Sequence, residues 1–248
     1  MKYGKIIAGI SLLWSFSMMA CTDSSSDAPM DAPMDAPEDK GPSLEEILAE
    51  YTVAYEFDDT ADVGKDYFGK NNAVVNDSLP ALNVKNGSLV LEGNSGLRVH
   101  LSDDFKKETF AIEVRFMATG TLPLSNIFSA DPPGDGVSGW MLRLDGLNLD
   151  FHFRHGSDKW NVVSAGEISL NEWHVARVEF DHADVGSLTV EAYELKLFLD
   201  GKVVDTKTLY SDAVDLKFDL GIGYDPHHQS RYDERFFIGK IDYIRFKG

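Results

Sequence analysis

The feature that most constrains this chain is a two-residue alternation of side chains within many short runs. In the run FAIEVRFMA, from Phe110 to Ala118, one side carries Phe, Ile, Val and Phe, and the other carries Ala, Glu, Arg and Met. Successive side chains of a β-strand point to opposite faces of a sheet, so this alternation is typical of a strand. Similar runs recur about every ten residues from residue 53 onward. The pattern predicts an all-β fold built as a two-sheet antiparallel sandwich.

The boundaries of the predicted elements follow from these runs and from the turn residues between them. Asp200-Gly201 lies between two runs and predicts a tight hairpin. Ser43 with Glu46 has the form of a capping box and predicts one short helix that ends near Tyr51. The predicted strands are Val53 to Phe57, Ser88 to Leu91, Leu97 to Leu101, Phe110 to Ala118, Ser125 to Ala130, Gly139 to Leu144, Asn148 to Arg154, Val162 to Ser164, Glu172 to Asp181, Glu191 to Leu199, Lys202 to Leu209, Leu216 to Tyr224 and Phe236 to Phe246.

The N-terminal segment, residues 1–20, has the layout of a secretory signal peptide. A basic start with Lys2 and Lys5 precedes an apolar stretch, and small residues then lead to Cys21, the single cysteine of the chain. The sequence SMMAC resembles the lipobox of bacterial lipoproteins, with Met18 where leucine is more frequent. This resemblance implies lipid attachment at Cys21 and a membrane-anchored lipoprotein of the cell envelope, at the outer membrane or the cell surface.

Residues 21–42 are expected to form an extended linker, and residues 43–248 a single domain. The linker repeats Asp-Ala-Pro, in which proline prevents regular hydrogen bonding and the aspartates repel each other. The whole chain has a formal net charge of -18, and loss of Lys2 and Lys5 with the leader would make it more acidic by two. Such a surface repels polyanions, so nucleic acid is excluded as a partner.

The order of the strands and of their boundary residues resembles that of LamG-like, concanavalin A-type jelly-roll domains over about residues 53 to 247. This family's opening loop usually has serine where Phe68 stands, and glutamate is common where Tyr243 stands. The segments that carry the resemblance are FDD at 57–59, DYFGKNNA at 66–73, LVLEG at 89–93, FAIEVRF at 110–116, WHVA at 173–176, LFLDG at 197–201 and FIGKIDYIRF at 237–246. The resemblance implies a two-sheet jelly-roll sandwich.

Members of this fold often hold a structural calcium ion near the first and last strands, and the resemblance implies a site at matching positions here. The residues are Asp58 and Asp242, with Asp59 and Asp66 nearby. Calcium takes six to eight oxygen ligands, which aspartates and carbonyls supply. The alternative is that these aspartates cap strands or pair with arginine.

Zinc is not expected, because His227-His228 and the pair His152 and His155 lack further converging ligands.

The resemblance also implies a carbohydrate partner, because one sheet of a jelly roll commonly holds sugars on its outer face and loops. In FHFRH, residues 151–155, the alternation predicts that the two phenylalanines are buried and that His152 and Arg154 face outward. Aromatic faces stack on sugars, and polar side chains bind the hydroxyls. The candidate ligand-binding residues are Trp140, Arg143, His152, Arg154, Trp160, Tyr224, His227, His228, Arg231 and Tyr232. An ordinary hydrated sheet face is the alternative for each of them.

The sequence favours a binding module over an enzyme. The carboxylate arrangement E-x-D-x-x-E of related glucanases is absent, and so are a serine elbow, HExxH and a P-loop. We therefore assign no catalytic residue. Two alternatives stay open, a polysaccharide-cleaving hydrolase or lyase, for example one that uses His152 with Tyr224, and a structural or adhesion module that contacts protein.

Overall fold

A computed structural model describes one folded unit that begins at Pro42, within residues 41–76, 78–132, 137–155, 159–184, 186, 192–210, 216–227 and 235–248. The predicted leader, the linker up to residue 40 and Cys21 lie outside the described residues, as do His228, Arg231 and Tyr232. No helix in the described part of the chain combines the length and the apolar character that a membrane crossing requires.

The described residues are almost entirely β-structure. The short helix α1 (Leu44–Leu48) starts at the predicted capping box, in which the Ser43 Oγ accepts from the Glu46 N–H and the Glu46 carboxylate accepts from the Ser43 N–H. The strands are β1 (Val53–Tyr55), β2 (Ala73–Val75), β3 (Asn83–Val84), β4 (Leu89–Glu92), β5 (Leu97–Val99), β6 (Phe110–Ala118), β7 (Leu124–Ala130), β8 (Gly139–Asp145), β9 (Asn148–Arg154), β10 (Asn161–Glu167), β11 (His174–His182), β12 (Tyr193–Leu199), β13 (Lys202–Leu209), β14 (Leu220–Ile222) and β15 (Ile238–Lys247).

Two antiparallel sheets form a sandwich, which confirms the predicted fold class. Sheet A has the order β13-β12-β11-β6-β15-β4-β3, and β1 also pairs with β15. Sheet B has the order β10-β9-β8-β7-β14-β5-β2. Strands distant in sequence are neighbours in both sheets, as β6 with β15 and β7 with β14. Most of these pairings are therefore long-range, as expected of a jelly roll.

The inner faces of the two sheets enclose one aromatic-rich core. Phe180 of β11 lies at its centre and stacks on three rings, with centroid distances of 4.6 Å to Phe153, 4.8 Å to Tyr193 and 5.4 Å to Phe110. Phe153 belongs to sheet B and the other three rings to sheet A, so these contacts join the two layers. Ring pairs at such distances add to the stabilisation from burial alone.

The outer side of sheet A is partly covered by the N-terminal segment. Leu48 and Tyr51 pack with Ala54 and Phe68 in a small second cluster. The Tyr51 hydroxyl lies 3.2 Å from Nη1 of Arg177 on the outer side of β11. Part of this side is therefore occupied by the chain itself.

Candidate functional site

The strands β8 and β9 direct apolar side chains inward and polar ones outward, as their sequences predict. Phe151 and Phe153 are fully buried in the core, and His152 alternates with them on the other face. Arg143 lies opposite Asp150 across these two strands. The outer face of sheet B is therefore lined with polar side chains at this place.

Five of these side chains form what we call the polar cluster: Asn126, Arg143, Asp150, His152 and Arg235. Arg143 stands between Asn126 of β7 and Asp150 of β9 in the strand register. Arg235 joins the cluster through its main chain, because the Asn126 N–H donates to the Arg235 carbonyl at 2.7 Å. Three adjacent strands and the segment before β15 thus place their polar groups together.

Several buried polar atoms in the polar cluster have no hydrogen-bond partner among the described residues. They are Nε of Arg143, Nε2 of His152, Nε of Arg235 and Oδ1 of Asn126. Asn126 is fully buried and His152 is 8% exposed. The carboxylate of Asp150 lies 3.8 Å from the His152 Nε2, beyond hydrogen-bond distance. An unsatisfied buried polar group costs about 1–3 kcal/mol, so four in one place make the polar cluster unfavourable for stability as it stands.

Burial makes positive charge unfavourable within the polar cluster. Burial is the main reason that the pKa of His152 falls from 6.5 to about 3, and the charges of Arg143 and Arg235 lower it further. The pKa of Arg143 is lowered for similar reasons, first by burial and then by Arg235, although nearby aspartates oppose the shift. His152 is therefore neutral at physiological pH, and the guanidinium of Arg143 is incompletely compensated.

Arg235 differs from Arg143 because it has a carboxylate partner. Its Nη1 forms a close ion pair with Asp131 and lies 3.8 Å from the carboxylate of Asp225. Both aspartates are buried. These contacts hold Arg235 beside β7, and its position is thus determined by protein groups.

Trp160 and Arg154 border the polar cluster. The Arg154 guanidinium carbon lies 4.4 Å from the centre of the Trp160 ring, and the Arg154 Nε donates to the Val137 carbonyl at 2.8 Å. The His152 ring meets Trp160 edge-on at 6.2 Å. Trp160 is half-buried, so it offers part of its aromatic surface next to the polar groups.

Trp140, Tyr224 and His227 lie elsewhere. Trp140 is 1% exposed and packs in the core against Phe128 and Phe151, so it does not reach the outer face.

Tyr224 follows β14, which is three strands from β9 in sheet B, or about 14 Å at a strand spacing of about 4.8 Å. The Tyr224 ring stacks on Phe236, and burial raises its pKa. His227 bonds to the Asp219 carbonyl at 2.8 Å. Of the predicted residues that the structure describes, it thus brings together Arg143, His152, Arg154 and Trp160.

A comparison with known families identifies the domain. The profile Laminin_G_3, described as the concanavalin A-like lectin/glucanases superfamily, matches residues 91–247. This match covers well over half of the chain.

The chain belongs to the concanavalin A-like lectin/glucanases superfamily.

Solved structures with the same fold share little sequence with this superfamily member. Domain 4 of AbnA, a GH43 extracellular arabinanase from Geobacillus stearothermophilus in complex with arabinotriose, is 18% identical with a TM-score of 0.57, covering 80% of this chain and 92% of that one. The receptor-binding domain of botulinum neurotoxin type G is 12% identical with a TM-score of 0.56, covering 80% of this chain and 48% of that one. That of neurotoxin D is 14% identical with a TM-score of 0.56, covering 81% and 50%.

This chain therefore spans about half the length of the toxin structures. At these identities the likeness concerns the fold alone. No curated protein sequence matches the chain significantly.

The four aspartates at the positions expected for calcium in this superfamily make different contacts with the protein. Both oxygens of Asp66 accept from backbone N–H groups, those of Ala54, Lys70 and Asn71, each at 3.0 Å. Asp242 pairs with Arg115 and accepts from Ser88. Asp58 and Asp59 are exposed. In the described part of the chain no three His, Cys, Asp or Glu side chains form a group that could hold a metal ion.

The sequence did not point to Asn126, Asp150 and Arg235. Asp150 could have been found, because it stands at the same two-residue spacing as His152 and Arg154 on one face of β9. Asn126 lies next to an irregularity in the pairing of β7 with β8, where the alternation of faces is interrupted. Arg235 enters from outside a strand. Neither of the last two has a local sequence signal.

Proposed function

We propose that the outer face of sheet B binds carbohydrate without chemical conversion. The observation that carries this proposal is the convergence of unpartnered polar atoms in the polar cluster beside a half-buried tryptophan. A sugar offers hydroxyl groups that both donate and accept hydrogen bonds. The partly exposed guanidinium of Arg143 supplies donors and the partly exposed carboxylate of Asp150 supplies an acceptor.

Trp160 supports the proposal by its position. A sugar ring has C–H groups that pack on an aromatic face, and the surface of Trp160 borders the polar atoms. The stacked guanidinium of Arg154, 4.4 Å from the ring centre, restrains the indole in this orientation. A pre-oriented aromatic ring loses less conformational entropy when it binds.

The solved structures offer further support for a carbohydrate ligand. Domain 4 of AbnA, which has the same fold, was captured with arabinotriose. A fold hosts many functions, so this likeness raises the expectation of a saccharide without selecting one.

A hydrolase is disfavoured by the composition of the polar cluster. Retaining and inverting glycosidases both require two carboxyl groups on either side of the scissile bond. The polar cluster contains one carboxylate, Asp150, and the neighbouring Asp131 is engaged by Arg235. Binding without cleavage is therefore the function that these groups support best.

We also propose that this domain is displayed on the cell envelope through a lipid at Cys21, with the linker as a spacer. Many copies on one surface would strengthen weak individual binding through multivalency. A Cys21→Ser variant expressed in a bacterial host should lose labelling by a palmitate analogue and should leave the membrane fraction. Retention of label by this variant would disprove the anchor.

The binding proposal is tested on a glycan array with the full-length protein. Trp160→Ala should abolish or strongly weaken binding to the saccharides that the wild type retains. Trp173→Ala is the matched control, because Trp173 is also half-buried and also lies under an arginine, Arg115 at 4.6 Å.

A parallel assay for new reducing or unsaturated ends should detect no product. Binding that survives Trp160→Ala but not Trp173→Ala would move the site to another surface. New chain ends would make the protein an enzyme.

A further inference from the structure

We infer, building on the carbohydrate-binding function proposed above, that the polar cluster selects acidic saccharides and that Arg143 binds their carboxylate. The ligand class is a polysaccharide or oligosaccharide that contains uronic acid residues. Arg143 then determines specificity, and Trp160 contributes the contact with the sugar ring.

The first observation is that, among the described residues, no carboxylate lies within ion-pair distance of Arg143, although the chain is rich in acidic residues and three aspartates lie near enough to affect its charge. Aspartate and glutamate number 41 against 23 lysines and arginines. Five other described arginines each contact a carboxylate within the protein, namely Arg98, Arg115, Arg177, Arg235 and Arg245. The polar contact of Arg143 is instead with the thioether of Met141, at 3.4 Å from its Nη1.

The second observation is that positive charge is unfavourable in the polar cluster. His152 and Arg143 both have lowered pKa values, and in both cases burial is followed by a neighbouring arginine charge. The charged form of each group is therefore destabilised. A bound anion would relieve this, because an opposite charge within a few ångströms stabilises a partly buried cation.

The third observation concerns geometry. The Nε of Arg143 is buried and unpartnered. A guanidinium binds a carboxylate through two parallel N–H···O bonds, for which the two Nη groups at the outer end of the half-buried Arg143 side chain form one suitable edge. Asp150, which faces Arg143 in the register, disfavours a second negative charge nearby. The cluster thus suits a singly charged group on a sugar ring better than a densely charged polyanion.

The test uses neutral oligosaccharides that contain a single galacturonate, guluronate, mannuronate or glucuronate residue, each beside its carboxyl-reduced neutral form, and one sulfated neutral oligosaccharide. We expect at least one uronate to bind the full-length protein about tenfold or more tightly than its reduced form, which is the size of one charge-assisted hydrogen bond. Arg143→Gln should remove this preference. Arg98→Gln, on the same sheet but paired with Asp219, should keep it.

A second measurement does not depend on how the variants fold. In the wild-type protein, the NMR signal of the Arg143 Nε–H should shift on addition of the preferred uronate and should not shift with the reduced form. The Arg98 Nε–H, 2.7 Å from the Asp219 carboxylate, serves as the internal reference.

The outcomes separate the two proposals. Equal binding of acid and reduced forms, both sensitive to Trp160→Ala, would overturn the selectivity and leave carbohydrate binding intact. A preference for sulfate alone would also overturn the selectivity. A uronate preference that survives Arg143→Gln would overturn the role assigned to Arg143. No binding to any saccharide, neutral forms included, would overturn both proposals.

Discussion

Asp66 should be a structural anchor whose removal destabilises the protein whether or not calcium is present. Its side chain is fully buried, and its two oxygens accept three backbone hydrogen bonds, from Ala54 of β1 and from Lys70 and Asn71 in the following loop. Asp66→Ala removes both acceptor oxygens and with them all three hydrogen bonds. The loop 66–73 then keeps its backbone bond from Tyr67 to Ala54 but loses the carboxylate that joins it to the first strand.

The size of the effect follows from which donors remain buried. Lys70 is exposed, so water can reach its N–H, whereas Ala54 and Asn71 are buried. Two buried N–H groups without an acceptor cost about 1–3 kcal/mol each, or about 4 kcal/mol together. For a domain of roughly this size, 1 kcal/mol lowers Tm by about 2–4 °C, so we expect a decrease of about 10 °C.

The assay is thermal and urea unfolding of Asp66→Ala, of wild type and of the exposed control Asp58→Ala, each in excess calcium and in EDTA. The loss should be the same in both solutions and absent from the control. A destabilisation below about 1 kcal/mol would refute the hydrogen-bond reasoning. A loss seen with calcium but not with EDTA would instead make Asp66 a calcium ligand.

Three further predictions concern other parts of the domain. The pKa of His152 is about 3 in the folded protein and 6.5 in its ordinary state, so the unfolded chain binds a proton first as the pH falls, and the free energy of unfolding decreases from about pH 6.5 towards pH 3. His152→Gln should reduce the slope of this decrease between pH 6 and 4 by up to about 1.4 kcal/mol per pH unit, and an unchanged slope would contradict the prediction. Trp140→Ala should cost about 3–5 kcal/mol in urea unfolding and Trp160→Ala much less, because only Trp140 fills the core; equal losses would be inconsistent with these placements. Gly223→Ala should be more destabilising than Gly201→Ala. Both glycines have positive φ, but only at Gly223 would a Cβ clash, because it would lie 2.4 Å from Leu91, whereas one at Gly201 meets nothing within 4 Å. Similar melting temperatures would show that the Leu91 side chain moves away at little cost.

Most strands could be predicted from sequence because the alternation is a local property. The bounds of β6, β9 and β13 match the prediction residue for residue. The predicted strand Leu216 to Tyr224 is reduced to β14, Leu220–Ile222. β2 and β3, of three and two residues, were missed. Such short edge strands are defined by their partners β5 and β4, and a sequence window of their length carries no pattern.

The candidate site was predictable only in part, because it depends on which strands are neighbours. The alternation placed His152 on the outer face correctly, but it did not show that β7 would lie beside β8 and bring Asn126 to Arg143. The sequence prediction includes Trp140 among the ligand-binding residues together with Arg143. The even position of Trp140 in β8 puts it in the core with Leu142. The face of one residue in a strand fixes the faces of the others, and this rule would have excluded it.

The place of β15 in sheet A sets the time at which this domain can fold. The ten residues Ile238–Lys247 insert between β6 and β4 and also hold β1. Without them, sheet A falls into separate pieces, β13-β12-β11-β6 on one side and β4-β3 on the other. A nascent chain therefore cannot complete this layer until β15 has been synthesised. Such long-range closure slows folding.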